Sequence, residues 1–243
     1  MRANNLLNTS SIILLSVFIL LLILFCCYQK KNYWRVQSWQ KSLGLQHHLK
    51  IFQTVYQDVD GFALSRQARR KQDALDYIYG EIEFTSFIAL LSLAKPNSNT
   101  VFYDLGCGAG KAVLACAMVY PIQKAVGVEI LPELYTCAST QIQHLASLDE
   151  YKNRASTIQF ILGDFLKVSL QEANFVFVNS SSLFGTTWEN LCLVLNNLPQ
   201  LETVITTSKP LISAVFTPQI STKIQMSWGI VPAYIHFRKT IIA

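Results

Sequence analysis

The sequence runs to 243 residues, is 51% apolar and only 14% charged, and carries a net charge of +5. These values exclude a disordered chain and leave room for one full-sized domain plus an appendage. Its six cysteines form no CxxC pair and no Cys/His cluster at zinc spacing. No metal site is therefore expected, and free, mostly buried thiols in a reducing compartment account for them. The positive charge is concentrated. Between residues 30 and 71, nine basic side chains stand against Asp58 and Asp60, whereas beyond residue 71 ten basic residues meet thirteen acidic ones. Such a block suits either an anionic surface or a solvated face.

From Ile12 to Tyr28 the chain is apolar except for Ser16, and no charge falls between Arg2 and Lys30. About 17 residues is the lower limit for a spanning helix and exceeds the core of a signal peptide. Leu24-Phe-Cys-Cys-Tyr28 is too bulky for a cleavage site, so residues 1–35 are expected to be an uncleaved membrane anchor. Lys30, Lys31 and Arg35 follow it, with Tyr33 and Trp34 suited to the interface. The positive-inside rule then places a single-pass protein with its catalytic part on the cytoplasmic or matrix-equivalent side.

Residues 36–98 read as a helical segment and lid. Trp39 to Tyr56 has helical spacing, Gly61 breaks it, Glu83 to Ala94 is a second helix and Lys95 to Asn99 a loop. The basic run of Arg66, Arg69, Arg70 and Lys71 is a candidate contact for anionic lipid or DNA. Over residues 99–243 short apolar runs alternate with helical patterns. Strands are expected at Val101 to Leu105, Ala125 to Glu129, Ile158 to Leu162, Phe175 to Asn179 and Val204 to Thr207. Helices are expected at Lys111 to Tyr120, Pro132 to about Leu148 and Thr187 to Leu198. Gln225 to Trp228 and Ala233 to Arg238 read as closing strands around a turn at Gly229 to Pro232. The implied fold is α/β, a Rossmann-like, doubly wound, mostly parallel sheet with an antiparallel C-terminal strand, preceded by a transmembrane helix.

The segment Asp104-Leu-Gly106-Cys-Gly108-Ala-Gly110-Lys111 lies between a strand and a helix, where open parallel sheets bind ligands. A phosphate loop would need four residues before Gly-Lys and a following Ser or Thr; here three intervene and Ala112 follows. A dinucleotide fingerprint would need Gly or Ala where Lys111 stands. The remaining pattern, (D/E)xGxGxG, resembles that of class I methyltransferases, whose cofactor is S-adenosylmethionine (SAM). Glycines admit the cofactor to the backbone, and Asp104 can accept from its ammonium. Glu129, ending the second strand, can bridge ribose hydroxyls. After the third strand, Asp164 can accept the adenine amino group while Phe165 packs on the ring.

Further motifs narrow the resemblance. Tyr79-Gly-Glu81, Phe102-Tyr-Asp-Leu-Gly, Val126-Gly-Val-Glu129, Gly163-Asp-Phe-Leu166, Val176-Phe-Val-Asn179, Thr207-Ser-Lys-Pro210 and Ser227-Trp228 stand in the order seen in another family. That family is the disruptor-of-telomeric-silencing family, histone lysine methyltransferases without a SET domain. The resemblance covers residues 77–238. It implies that Tyr79 and Glu81 belong to a loop closing over SAM and that Asn179 sits at the mouth of a lysine channel. It also implies that Phe184, Trp228 and Tyr234 line that channel, with Asn179 and Tyr234 the catalytic pair. Two departures stand out: serines at 180–182 replace an aromatic, and paired tyrosines become Ala233-Tyr234. The implied partner is a protein lysine, on a histone or nucleosome. An anchored enzyme also resembles the lysine methyltransferases of the ATP synthase c-subunit. A small-molecule or lipid methyltransferase, and a SAM-binding module without catalysis, are the other readings.

Overall fold

The computed structural model describes residues 2–70 and 74–239, the side chains of residues 2–10 excepted. Lys71, the end of the basic run, lies outside the described residues. The chain divides into two compact units, Met1–Gln46 and His47–Ala243, so residues 47–98 fold with the sheet.

The first unit is dominated by helix α1, Arg2–Ser42. Its apolar side chains from Ile12 to Phe25 are exposed on all sides, an arrangement that water penalises and hydrocarbon does not. The Ser16 hydroxyl donates to the Ile12 carbonyl at 2.9 Å, which satisfies that polar group within the helix itself. Over Ser11–Ser42 this helix is long and apolar enough to cross a membrane. The exposed pair Cys26 and Cys27 also lies here, whereas Cys107, Cys116 and Cys192 are buried thiols and Cys137 is half-buried.

The second unit opens with helices α2 (Leu45–Val55), α3 (Gly61–Arg69) and α4 (Phe84–Ala94). Gly61 proves to start α3 rather than merely interrupt a helix, because the Asp60 carboxylate caps it by accepting from Ala63 N at 2.9 Å. Glu83 caps α4 in the same way through Ser86 N. Then come β1 (Val101–Leu105), α5 (Lys111–Val119), β2 (Lys124–Glu129), α6 (Pro132–Ala146), the short α7 (Lys152–Ala155) and β3 (Ile158–Leu162). The chain closes with β4 (Phe175–Val178), α8 (Gly185–Asn196), β5 (Thr203–Thr207), β6 (Phe216–Met226) and β7 (Gly229–Arg238).

The strands form one seven-stranded sheet in the order β3-β2-β1-β4-β5-β7-β6. Pairs among β1 to β5 are parallel, and β7 runs antiparallel to both β5 and β6. Central strands such as β1 are buried throughout, as a sheet covered on both faces requires. One face of the sheet packs Val176, Val178 and Val204 against Trp188, Leu191 and Leu195 of α8. The order reverses between β1 and β4, and the cleft at that switch point holds the glycine loop.

The C-terminal hairpin corrects the expected turn at Gly229 to Pro232. β6 begins ten residues earlier than the apolar signal at Met226 suggests, and the turn is the two-residue Ser227-Trp228 between the paired Met226 and Gly229. The early part of β6 is polar and exposed because it is the sheet edge, and Pro218 sits at a register shift. An edge strand tolerates a proline and needs no apolar run. Pro232 is likewise accommodated inside β7, where its carbonyl accepts from Ser208 N at 2.7 Å.

Candidate active site

The glycine loop is held from below by β2. Gly106 N and Cys107 N both donate to the Val128 carbonyl, at 2.9 and 3.0 Å. Gly106, Gly108 and Gly110 all have positive φ, at 80°, 56° and 79°, the region that side chains with a Cβ avoid. A Cβ on Gly106 would meet nothing within 4 Å, so this backbone faces open space; one on Gly110 would come within 2.4 Å of the Phe160 ring. Gly110 is thus a point of close packing against β3 and α6, one residue earlier than the third glycine of a dinucleotide fingerprint. Lys111 is freed for another task.

That task is visible in the lid. Residues 74–83 cross the cleft, and the Lys111 ammonium lies 2.7 Å from Glu81 Oε2, while the Tyr79 hydroxyl donates to Glu81 Oε1 at 2.6 Å. The Tyr79 ring is packed between Gly61 and Gly108, where a Cβ on either glycine would come within 2.4 Å of it. Burial, and the neighbouring Glu81 carboxylate, push the Tyr79 phenol well above its ordinary pKa, so it stays a donor. Each end of the lid is tied down. Asp76 accepts from the Thr187 hydroxyl of α8 at 2.7 Å, and Glu81 and Glu83 exchange backbone hydrogen bonds with Ser227 and Gln225 of the hairpin.

Two buried carboxyls lie beneath. Asp104 is 3% exposed, and burial, with the nearby Glu129, pushes its pKa up to about 8. Glu129 is raised by burial too, but amide hydrogen bonds oppose this: Oε2 accepts from Gly108 N at 2.7 Å and Oε1 from Leu131 N at 2.8 Å. These contacts make Glu129 a brace of the glycine loop. Asp164 Oδ1 accepts from Leu166 N at 2.9 Å, and its other oxygen lies 3.3 Å from Lys167 Nζ.

A cleft of about 260 Å³ brings together Tyr79, Gly106, Gly108, Glu129, Asp164, Phe165 and Asn179. Asp104 and Glu81 line a smaller adjoining recess with Lys111 and Met226, which shares Gly106, Gly108 and Asn179 with the main cleft. Asn179 is fixed by three donors: the Thr207 hydroxyl at 2.8 Å, the Ser181 hydroxyl at 2.9 Å and Ser181 N at 3.4 Å, all to Oδ1. Its Nδ2 reaches the lid at the Gly80 carbonyl, 3.5 Å away. Next to it Ser208 takes φ 66°, with Lys209 N bonded to the Thr207 carbonyl at 2.7 Å. A γ-turn of this hand is rare and strained.

Three expected channel residues line neither recess. Tyr234 pairs with Thr206, and successive residues of a strand face opposite sides. It therefore shares the α8-side face with Val178, while Asn179, Thr207 and Ala233 share the other. The position on the asparagine's face is Ala233, fully buried. Phe184 is the 59%-exposed N-cap of α8, and Lys209 Nζ rests 4.1 Å from its ring centroid. Trp228 lies in the hairpin turn with its ring against Gly80, so it backs the lid rather than the cleft. His236, the buried histidine of β7, bonds Leu211 N and the Val204 carbonyl and is held neutral by burial. It is a core residue.

Asp76, Ile78, Leu131 and Thr187, which no motif singles out, also line the cleft, and Lys111 acts as a latch on Glu81. Asp76 and Ile78 stand in the same hexapeptide as Tyr79 and Glu81, and that proximity was the available signal. Among the described residues no cluster of His, Cys, Asp or Glu could hold a metal ion.

The family described as histone methylation protein DOT1 matches residues 64–228, a span that takes in the lid, the glycine loop, Asn179 and the hairpin turn. The chain belongs to that family. It is therefore a member of a methyltransferase family whose cofactor is SAM. A protein-lysine N-methyltransferase of Saccharolobus islandicus (strain REY15A) is 34% identical over 87 residues, 36% of this chain and 50% of that protein. The chain thus matches about half the length of that relative. Among solved structures, an RNA methyltransferase of Salinibacter ruber in complex with S-adenosyl-L-homocysteine has 22% identity and a TM-score of 0.48, covering 65% of this chain and 93% of that one. TrmK of M. capricolum, in complex with S-adenosyl-homocysteine, has 13% identity and a TM-score of 0.47, covering 65% and 70%.

Proposed function

We propose that the chain is a SAM-dependent protein-lysine N-methyltransferase held at a membrane by α1, with its catalytic unit on the cytoplasmic or matrix-equivalent side. The observation that carries the reading is the convergence of three strand ends on one lidded cleft: the glycine loop after β1, Glu129 at the end of β2 and Asp164 after β3. The residues fit the cofactor. Gly106 leaves its backbone open to approach, and Asp104 is a buried carboxyl whose ionisation burial and Glu129 oppose, so a cationic partner would favour it. Glu129 keeps lone pairs beyond those given to Gly108 and Leu131 for ribose hydroxyls. Asp164 and Phe165 would take the adenine, and Tyr79 and Glu81 would close the lid.

SAM supplies a methyl group on a positive sulfonium, open to in-line attack by a neutral amine. The protein's part is to align and to exclude water. Asn179, held by Thr207 and Ser181 and linked to Gly80, would position the acceptor at the lid's edge, and Trp228 would support that edge from behind. Apolar surroundings lower an ammonium pKa, so the acceptor lysine gives its proton to water before attack.

The test is full-length protein in vesicles, incubated with radiolabelled SAM and histones, nucleosomes or membrane extract. Label is expected on lysine in a protein band and is expected to vanish with Asp104→Ala. Label confined to lipid, or SAM binding with no transfer to any acceptor, would contradict the reading.

A further inference from the structure

Helix α3 has two unlike faces. Gly61, Ser65 and Ala68 are buried, while Phe62, Arg66 and Arg70 are exposed and Arg69 is half-buried. Positions 62, 66 and 69–70 follow one another at helical spacing, so they form a single outward stripe. The stripe continues onto the lid, because the Phe62 ring packs edge-on to Tyr79 at 5.2 Å between centroids. There the short 3₁₀ turn Leu75–Tyr77 presents Leu75, 71% exposed, while Ile78 just after it is turned to the cleft. The result is a surface of arginines beside large exposed apolar side chains, set on the segment that roofs the cleft.

We infer that this face of α3 and the lid docks onto an anionic lipid bilayer. Arginine alone would suit DNA equally, but exposed Leu75 and Phe62 gain nothing from a phosphate backbone and do gain from the headgroup–acyl boundary. The order of the chain adds support: α1, which is able to span a membrane, ends at Ser42 and α3 starts at Gly61, so only about 18 residues of chain separate the stripe from it. Docking does not depend on the reaction. Its consequence for catalysis does rest on the reading above: acceptor lysines at the membrane surface would meet the open side of the cleft.

The full-length protein would be reconstituted into vesicles of zwitterionic lipid alone and into vesicles with added phosphatidylserine, and amide exchange followed in residues 61–70 and 74–80. Each basic side chain near an anionic surface favours docking by roughly fivefold, so slower exchange in both segments is expected with phosphatidylserine. Arg66→Glu with Arg70→Glu should cut that protection by at least roughly 25-fold, and high salt should cut it in the unaltered protein as well. Identical exchange in the two lipids would overturn the inference. So would protection conferred by duplex DNA on zwitterionic vesicles but not by phosphatidylserine. SAM binding in the same samples is a separate readout: its absence would count against the proposed function and leave the lipid result standing.

Discussion

The two halves of the site differ in how far each holds to its family's pattern. On the β1–β3 side, the three glycines, Asp104, Glu129 and Asp164 are all present, and all but Gly110, which packs against Phe160, lie at the cleft or the recess joined to it. On the β4–β7 side Asn179 is in place, but serines follow it and Ala233 stands where a tyrosine would share its face. A cofactor of fixed shape imposes the same donors and acceptors on any fold that binds it, whereas an acceptor wall is remade for each substrate. On the proposed reading, the contrast teaches that cofactor chemistry is set by backbone and carboxylates, and acceptor chemistry by a few replaceable side chains.

The largest break should come from the cofactor half. Asp104→Asn removes a buried carboxyl that, on the proposed reading, ionises against the cofactor's cation, and SAM affinity should fall about 10- to 100-fold by calorimetry. Its folded pKa, raised to about 8 from 3.8, carries a signed consequence. The folded state keeps a proton the unfolded state has lost, so stability should decline as pH rises from about 4 to 8, and thermal denaturation of Asp104→Asn should not show that slope. Asn179→Ala should leave SAM affinity within about threefold while slowing transfer about tenfold or more, since it disturbs alignment only. Single-turnover kinetics would separate the two. Lys111→Met cuts the partly exposed latch to Glu81, and a roughly fivefold loss of SAM affinity, about 1 kcal/mol, is expected. Tyr234→Phe should change neither binding nor transfer beyond about twofold, the usual scale for residues away from the chemistry. A larger effect would mean that β7 presents its other face to the acceptor.

Much of this was legible in the sequence because its signals are local. An apolar run followed by glycines marks β1 and its loop, and Val126-Gly-Val-Glu129 marks β2 and its acid. Apolar alternation located all five parallel strands to within about one residue. The failures share a physical cause, which is that side-chain direction and edge exposure depend on neighbours distant in sequence. The face of β7 that Tyr234 occupies follows only from its pairing with Thr206. β6 was hidden because an edge strand carries few apolar residues, and Ser227-Trp228 looked like strand because its turn needs no glycine between the paired ends. Lys111 was read as the residue that excludes a dinucleotide, and its ion pair with Glu81, thirty positions away, was visible only in three dimensions.

The most direct test is calorimetric titration of SAM into the full-length protein in vesicles at pH values on both sides of about 8. The account predicts binding at one site that strengthens up to about tenfold per pH unit below that value and then levels off, with proton release on binding. It predicts that Asp104→Asn loses both the affinity and the slope. Absence of SAM binding, or binding of equal strength and no pH dependence in the two proteins, would contradict it.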